Sequence, residues 1–298
     1  SMNRQDAFSG YSPQVNFIFY IGTVFFTVLI VHPAFLICSL VLSAVYYLQV
    51  RGRQGLRMIG GMIPVFVVVS AVNPLLNTGG DRILFHLGQR PYTLEALYYG
   101  MALGCMFTAV ILWFASYNRT MTSDKFMFVF GRKSPVISMI LTMVFRMVPG
   151  FQRKARQITT ARRCIGRMET GSSLQSKLLP SFAVVSSLTS WALEGGVITA
   201  DSMQSRGYGS GKRSAFSIYS FVKRDRLTVC LMFLLMAGIL IAVLRGGTRA
   251  SYTPELMISG YDDPWLWIGS ICWFVFLSIP VAVDVVEEMR WHVLRSKI

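Results

Sequence analysis

Residues 15–50 read VNFIFYIGTVFFTVLIVHPAFLICSLVLSAVYYLQV, a stretch without a single Asp, Glu, Lys or Arg. A membrane-spanning helix needs about 20 mostly apolar residues, with a range of roughly 17–25. The stretch therefore has the length of two spans. His32-Pro33 divides it, because proline biases the residue before it away from helical backbone. The pattern predicts a tight helical hairpin, Val15–Val31 and Ala34–Val50, and with it an all-α polytopic membrane protein.

Four more apolar segments match in length: Met58–Leu76, Leu94–Tyr117, Leu227–Leu244 and Pro264–Val286. Six transmembrane helices are expected. Pro64 falls in the third span, where a kink is tolerable inside a bundle. Gly100 and Gly104 form a GxxxG in the fourth, which permits close helix approach within one chain or between two. The 298-residue chain is 53% hydrophobic and 14% charged, with a mean hydropathy of +0.50. Soluble domains average about 25% charged residues, so this composition argues against a soluble enzyme and against disorder. The first apolar run is followed at once by the second, without a small-residue cleavage pattern, so no cleavable signal peptide is expected. Ser1 before Met2 reads as an expression scar. The cysteines Cys38, Cys105, Cys164, Cys230 and Cys272 are widely spaced, which excludes a CxxC pair and points to small apolar side chains.

The charge is distributed unevenly. Lys and Arg number 29 against 14 Asp and Glu, a net charge of +15. The segment Asn118–Arg226 holds 18 Lys and Arg and 5 Asp and Glu, net +13. By the positive-inside rule, the loop with Arg51, Arg53 and Arg57 is cytoplasmic, and so are the middle segment and both termini. The loops at Asn77–Thr93 and Arg245–Asp263 fall outside. The chain thus divides into N-terminal membrane helices (1–117), a cytoplasmic helical domain between spans four and five (118–226), and C-terminal membrane helices with a cytoplasmic tail (227–298). The middle segment is too long for a plain connection. Its pattern predicts a short apolar helix Pro135–Val148 ending at Arg146–Pro149, and a basic helix Phe151–Gly166. A turn at Gly171-Ser172-Ser173 follows, with Ser173 as a helix cap. Further helix covers Pro180–Leu193 and Ile198–Ser205, stopped by Gly207 and Gly209.

Familiar catalytic patterns are missing from the sequence. Gly207-Tyr208-Gly209-Ser210-Gly211-Lys212 has three residues between Gly207 and Gly211 and Arg213 after Lys212. A phosphate loop needs four, then Ser or Thr. His32, His86 and His292 lack ligand spacing. Asn118-Arg119-Thr120 is a sequon on the inner side. Asp284, Glu287 and Glu288 read as the interfacial end of the last span near Arg290. Asp201 is within reach of Arg206 along one helix. No nucleophile–base pair can be assembled. The chain is expected to be non-catalytic, without cofactor or metal.

Ala200-Asp201-Ser202-Met203-Gln204-Ser205-Arg206-Gly207-Tyr208-Gly209, followed by Lys212-Arg213-Ser214, resembles the second coupling motif of the transmembrane T components of energy-coupling factor (ECF) transporters. That motif runs Ala-x-x-Met-x-Ala-Arg-Gly-Tyr. Other blocks are similar and in the same order: Val31-His32-Pro33, Arg51-Gly52-Arg53 through Ile63-Pro64, Thr93-Leu94-Glu95-Ala96-Leu97, and Phe145-Arg146-Met147-Val148-Pro149. Together they span roughly residues 12–290. The resemblance implies a coupling subunit in a prokaryotic plasma membrane that joins two ATP-hydrolysing subunits to a membrane-embedded S component, which captures a vitamin or metal ion. It implies that Arg206, flanked by Ser205 (where the family often has Ala) and Gly207, enters an acidic groove on an ATPase. Ala200, Asp201, Met203 and Tyr208 support that block, and Arg146 and Pro149 lead into the first coupling helix. The first motif departs from the family. Anchored on Gly166, it places Ile165 where the arginine belongs; anchored on Ala161, it offers Arg162 and Arg163. Arg162, Arg163 or Arg167 then supplies the charge, with Arg163 and Arg162 preferred.

Two other functions are compatible with parts of the sequence. A conventional permease subunit would line its own substrate path with polar groups at mid-membrane, which the six spans largely lack. A membrane-anchored binder of anionic lipid or nucleic acid would use the +13 segment, but its apolar stretches argue against this, and no nucleic-acid partner is expected.

Overall fold

The computed structural model describes residues 7–77, 83–87, 90–131, 135–166, 174–211, 221–252, 257–258 and 263–295. In chain order it contains a 3-10 turn (Ala7–Gly10), α1 (Pro13–Leu29), α2 (Pro33–Arg51), α3 (Arg53–Leu76), β1 (Ile83–Leu87), β2 (Arg90–Thr93), α4 (Leu94–Thr120), α5 (Ser123–Gly131), α6 (Pro135–Cys164), α7 (Leu174–Ser205), α8 (Lys223–Leu244), β3 (Ala250–Ser251), β4 (Met257–Ile258) and α9 (Pro264–Arg295). It divides into two compact units, Ser1–Phe126 with Tyr219–Ile298, and Met127–Ile218. The second unit is narrower than the 118–226 drawn from charge. Asn118–Thr120 complete α4, and the start of α8 belongs to the first unit.

The first unit is a bundle of α1–α4, α8 and α9. Pro33 opens α2 at its first helical position, where its missing N–H and fixed φ suit a helix start. Gly52, at φ 60°, makes the sharp turn from α2 to α3. The GxxxG joins α3 to α4 within the chain. A Cβ on Gly100 would lie 2.6 Å from the Ser70 carbonyl oxygen, and one on Gly104 would lie 2.9 Å from the Phe66 ring. The core is aromatic. The Phe19 ring meets Trp113 edge-on at 5.6 Å and stacks on Phe276 at 5.3 Å. Tyr46 stacks on Trp113 at 6.0 Å. The two buried indole N–H groups donate to Ser39 Oγ and to the Phe35 carbonyl oxygen, each at 3.1 Å, as buried tryptophans require. Two antiparallel hairpins, β1–β2 and β3–β4, were not anticipated. Strands this short, one of them holding Pro91, leave no alternating pattern to read.

Among the described residues, six helices are long and apolar enough to cross a membrane, and the chain is an all-α multi-pass membrane protein. Five of them correspond to expected spans: Pro33–Arg51, Gln54–Leu76, Leu94–Thr120, Lys223–Leu244 and Pro264–Trp291. The expected first span is a 17-residue helix, Pro13–Leu29, at the lower end of spanning length. The sixth long apolar helix, Ser181–Ser205, has a mean hydropathy of 1.2 against 1.7–2.9 for the other five. It lies in the segment expected to be cytoplasmic.

The second unit pairs α6 with α7. Pro149 does not end a helix: α6 runs unbroken through it for 30 residues. A proline in a helix interior removes one hydrogen bond and bends the rod, but flanking turns can carry the helix past it. Likewise α7 is one helix of 32 residues, not two. The expected turn at residues 171–173 lies outside the described residues, as does Arg167.

Candidate functional site

The site predicted from sequence lies at the C-terminal tips of α6 and α7. α7 ends in a closed cap. The Tyr208 N–H donates to the Met203 carbonyl at 3.0 Å, and the Gly207 N–H to the Gln204 carbonyl at 2.9 Å. These are the paired bonds of a Schellman motif, which needs a left-handed residue at its turn. Gly207 supplies it at φ 78°. The Gly207 carbonyl in turn accepts from Ser210 Oγ at 2.7 Å and from the Ser210 N–H at 3.2 Å. Arg206 is therefore held at the last position before the chain reverses.

Arg206 is exposed, and among the described residues no carboxylate pairs with it. Asp201, one turn back and also exposed, forms no ion pair with it. The helix dipole places partial negative charge at this end, so a cation there is favoured. Ser205 donates its hydroxyl to the Asp201 carbonyl at 2.9 Å. The group is satisfied on its own helix, so Ser205 presents little more than an alanine would. Met203 is half-buried, whereas Ala200 and Tyr208 are exposed.

The tip of α6 also ends on a left-handed glycine, and its described bonds match the corresponding ones of α7. Gly166 has φ 69°, its N–H donates to the Arg163 carbonyl at 3.1 Å, and the Ile165 N–H donates to the Ala161 carbonyl at 3.3 Å. Matching the two left-handed glycines aligns Gly166 with Gly207, Ile165 with Arg206 and Cys164 with Ser205. Arg163 precedes Ile165 by two residues, roughly 200° around a helix, and so points to another side. Arg162 shares the face of Ile165 but sits one turn back, and helical side chains lean toward the N-terminus. Neither arginine occupies the position that Arg206 has.

The two helices meet at Trp191. Its ring takes the Phe151 ring edge-on at 5.6 Å, and Lys154 Nζ lies 5.8 Å from its centroid. From this contact each helix continues for roughly 20 Å to its tip, at about 1.5 Å per residue. Arg146 and Pro149 lie on α6 just before the contact, both exposed, and touch neither tip. Apolar side chains stay uncovered along both helices. Val136, Ile140, Val144 and Val148 form an i, i+4 row on α6 that is 43–55% exposed. Phe182, Val185, Leu193 and Val197, spaced three, eight and four residues apart, lie along one side of α7 at 57–67%, with Thr189 between them. The hydroxyls of Ser187, Thr189, Ser190 and Thr199 bond the carbonyl four residues back, which leaves that surface with few free polar groups.

No protein-family model matches this chain, and no curated protein matches it in sequence.

Proposed function

We propose that the chain is the membrane coupling subunit of an ECF-type uptake transporter, with the α6–α7 unit on the cytoplasmic side. The observation that carries this is Arg206: an exposed guanidinium without a carboxylate partner among the described residues, set by a glycine cap at the end of a long helix. A planar, permanently charged fork at such a point suits bidentate capture by acidic side chains in a partner's groove. In this function two ATPase subunits close on ATP and carry the tips with them. α6 and α7, joined at Trp191, pass the displacement on. The uncovered apolar rows offer a surface for the membrane-embedded S component that binds the micronutrient. The chain itself catalyses nothing. The test is uptake and co-purification with Arg206→Glu. The variant should reach the membrane at normal levels, lose its ATPase partners and lose ATP-driven uptake. Normal uptake with both Arg206 and Arg163 reversed in charge would refute the proposal.

A second function, that of a conventional permease subunit, draws on one observation: Ser181–Ser205 is long and apolar enough to span. Against it, the cleft of about 390 Å³ between α1 and α4 is lined by Phe17, Tyr20, Ile21, Phe25, Trp113 and Tyr117 with two further apolar residues, a poor lining for a polar substrate. A thiol-reactive, membrane-impermeant probe on Glu194→Cys, beside the apolar row and with the five native cysteines replaced, separates the two in inverted vesicles. Labelling supports a cytoplasmic α7, and protection supports a spanning one.

A further inference from the structure

The cleft between α1 and α4 has a floor of rings. Phe17, Tyr20, Phe25, Trp113, Phe114 and Tyr117 line it with two aliphatic side chains, around a volume of about 390 Å³. The two most deeply buried rings, Tyr20 and Trp113, turn their polar atoms into the bundle. The Tyr20 hydroxyl donates to Thr120 Oγ1 and the Trp113 N–H to Ser39 Oγ, each at 3.1 Å. The cleft therefore meets the carbon faces of these rings. Its outer side is open, since Ile21, Phe25 and Phe114 are 50–56% exposed. These residues lie within the helices that make up the membrane bundle, so the cleft opens to hydrocarbon.

Its length fits one leaflet. Phe17 to Phe25 is about 12 Å of helix, and half of a hydrocarbon core of roughly 30 Å is about 15 Å. Phe17 lies one turn inside the start of α1 at Pro13, and Tyr117 one turn inside the end of α4 at Thr120. The cleft thus begins near the membrane surface and runs toward the midplane. Its mouth carries neutral polar groups. Gln14 precedes Phe17 by three residues and Ile21 by seven, and Asn118 follows Phe114 by four, so each shares a helix face with the lining. Gln14 is half-buried and Asn118 is exposed, and Tyr117 adds a hydroxyl. Among the described residues no hydrogen bond engages these three side chains. Arg119 points roughly 200° away from Tyr117 around α4, so the two lining faces are uncharged at this end.

We propose that this cleft is a binding site for one glycerophospholipid of the leaflet at the α1 N-terminal side. One acyl chain lies along the rings. The phosphodiester and ester oxygens accept hydrogen bonds from Gln14, Asn118 and Tyr117. An apolar lining with a few polar groups at one end is what an amphiphile requires, and neutral donors fit the oxygens that all glycerophospholipids share without selecting a charged headgroup. The site does not depend on the coupling function proposed above.

The test places the full-length chain in vesicles of phosphatidylethanolamine and phosphatidylglycerol doped with a phosphatidylcholine that carries a diazirine midway along one acyl chain. After illumination the labelled residues are identified by mass. Residues 17–25 and 113–117 should be labelled at least about fivefold more than Val67 and Val68, which are as exposed on α3. Even labelling of the cleft and α3 overturns the inference and leaves only an annular shell of lipid; this readout needs no variant. Ile21→Trp, which fills the cleft from its open side, should lower the cleft labelling at least about fivefold, and Val68→Trp should leave it unchanged. Undiminished labelling of an Ile21→Trp protein with the parent's thermal midpoint overturns the inference. A diazirine fatty acid, which lacks the phosphodiester, should label the cleft at least about threefold less than the phospholipid, and Gln14→Leu with Asn118→Leu should erase that difference. Equal labelling of the parent by fatty acid and phospholipid overturns the inference.

Discussion

Lys125 Nζ lies 2.6 Å from the Ser9 carbonyl oxygen, which ties the N-terminal turn to the end of α4. The same ammonium donates to Ser9 Oγ at 2.7 Å and to the Thr120 carbonyl at 2.9 Å. It thereby satisfies a terminal carbonyl of α4 where a cation is favoured by the helix dipole. Two neighbours complete the clasp. The Phe8 N–H donates to Asp284 Oδ1 on α9 at 3.1 Å, and the Arg224 guanidinium at the start of α8 lies 4.0 Å from the Tyr11 ring centroid. The turn thus engages α4, α5, α8 and α9 at the points where the chain leaves the first unit and returns to it.

Replacing Lys125 with Met keeps the volume and removes every donor. The buried Thr120 carbonyl and the half-buried Ser9 lose their charged donor, which costs about 1–3 kcal/mol. The thermal midpoint in detergent should fall, and proteolysis before Pro13 should accelerate. An unchanged midpoint would show that the clasp contributes nothing.

Gly100→Val should separate α3 from α4, because even a Cβ meets the Ser70 carbonyl oxygen at 2.6 Å and backbone cannot yield as a side-chain end can. The expected loss is about 1–3 kcal/mol from overpacking. Since this GxxxG joins helices of one chain, the oligomeric state measured by light scattering should not change while stability drops. A shift from dimer to monomer at full stability would assign the motif to an intermolecular contact.

Asn16 is fully buried in α1, and neither its amide nitrogen nor its amide oxygen has a hydrogen-bond partner. A buried unpaired amide is unfavourable by about 1–3 kcal/mol. Asn16→Leu, close in volume, should raise the thermal midpoint. A lowered midpoint would mean that the amide has a role the packing does not reveal.

Gly207→Ala leaves the chemistry of Arg206 intact but forces an L-residue to φ 78°, at a cost of roughly 1 kcal/mol or more. Its Cβ also meets Ser210 Oγ at 3.3 Å. The last turn of α7 should fray. Hydrogen exchange at the amides of Arg206 and Tyr208 should quicken and ATP-driven uptake should fall, with global stability nearly unchanged. Slow exchange together with full uptake would show that the cap does not position Arg206.

Much was legible in the chain because burial in a bilayer is written in composition. A run such as 15–50, uncharged and broken only at His32-Pro33, admits few structures besides a helical hairpin, and backbone groups in lipid must be satisfied within the segment. The position of Gly207 as a helix stop was legible for a similar reason: glycine is the residue that takes a left-handed cap without penalty. What the sequence could not settle depended on choices between near-equal local options. Pro149 reads as a helix end in the sequence, yet α6 continues unbroken through it, because flanking turns and the packing at Trp191 hold the rod together. The GxxxG serves either one chain or two, and the closeness of Ser70 and Phe66 to Gly100 and Gly104 decides for one. The register of the first motif had two readings on the letters alone. The left-handed backbone at Gly166 gives Ile165 the same place before a cap glycine that Arg206 has, a likeness of backbone that the letters alone do not show. The clasp of Lys125 on Ser9 joins residues 116 positions apart, and no local pattern announces such a contact. Composition and periodicity thus determined the helices and their membrane character, whereas packing decided which side chains meet and which are left facing outward.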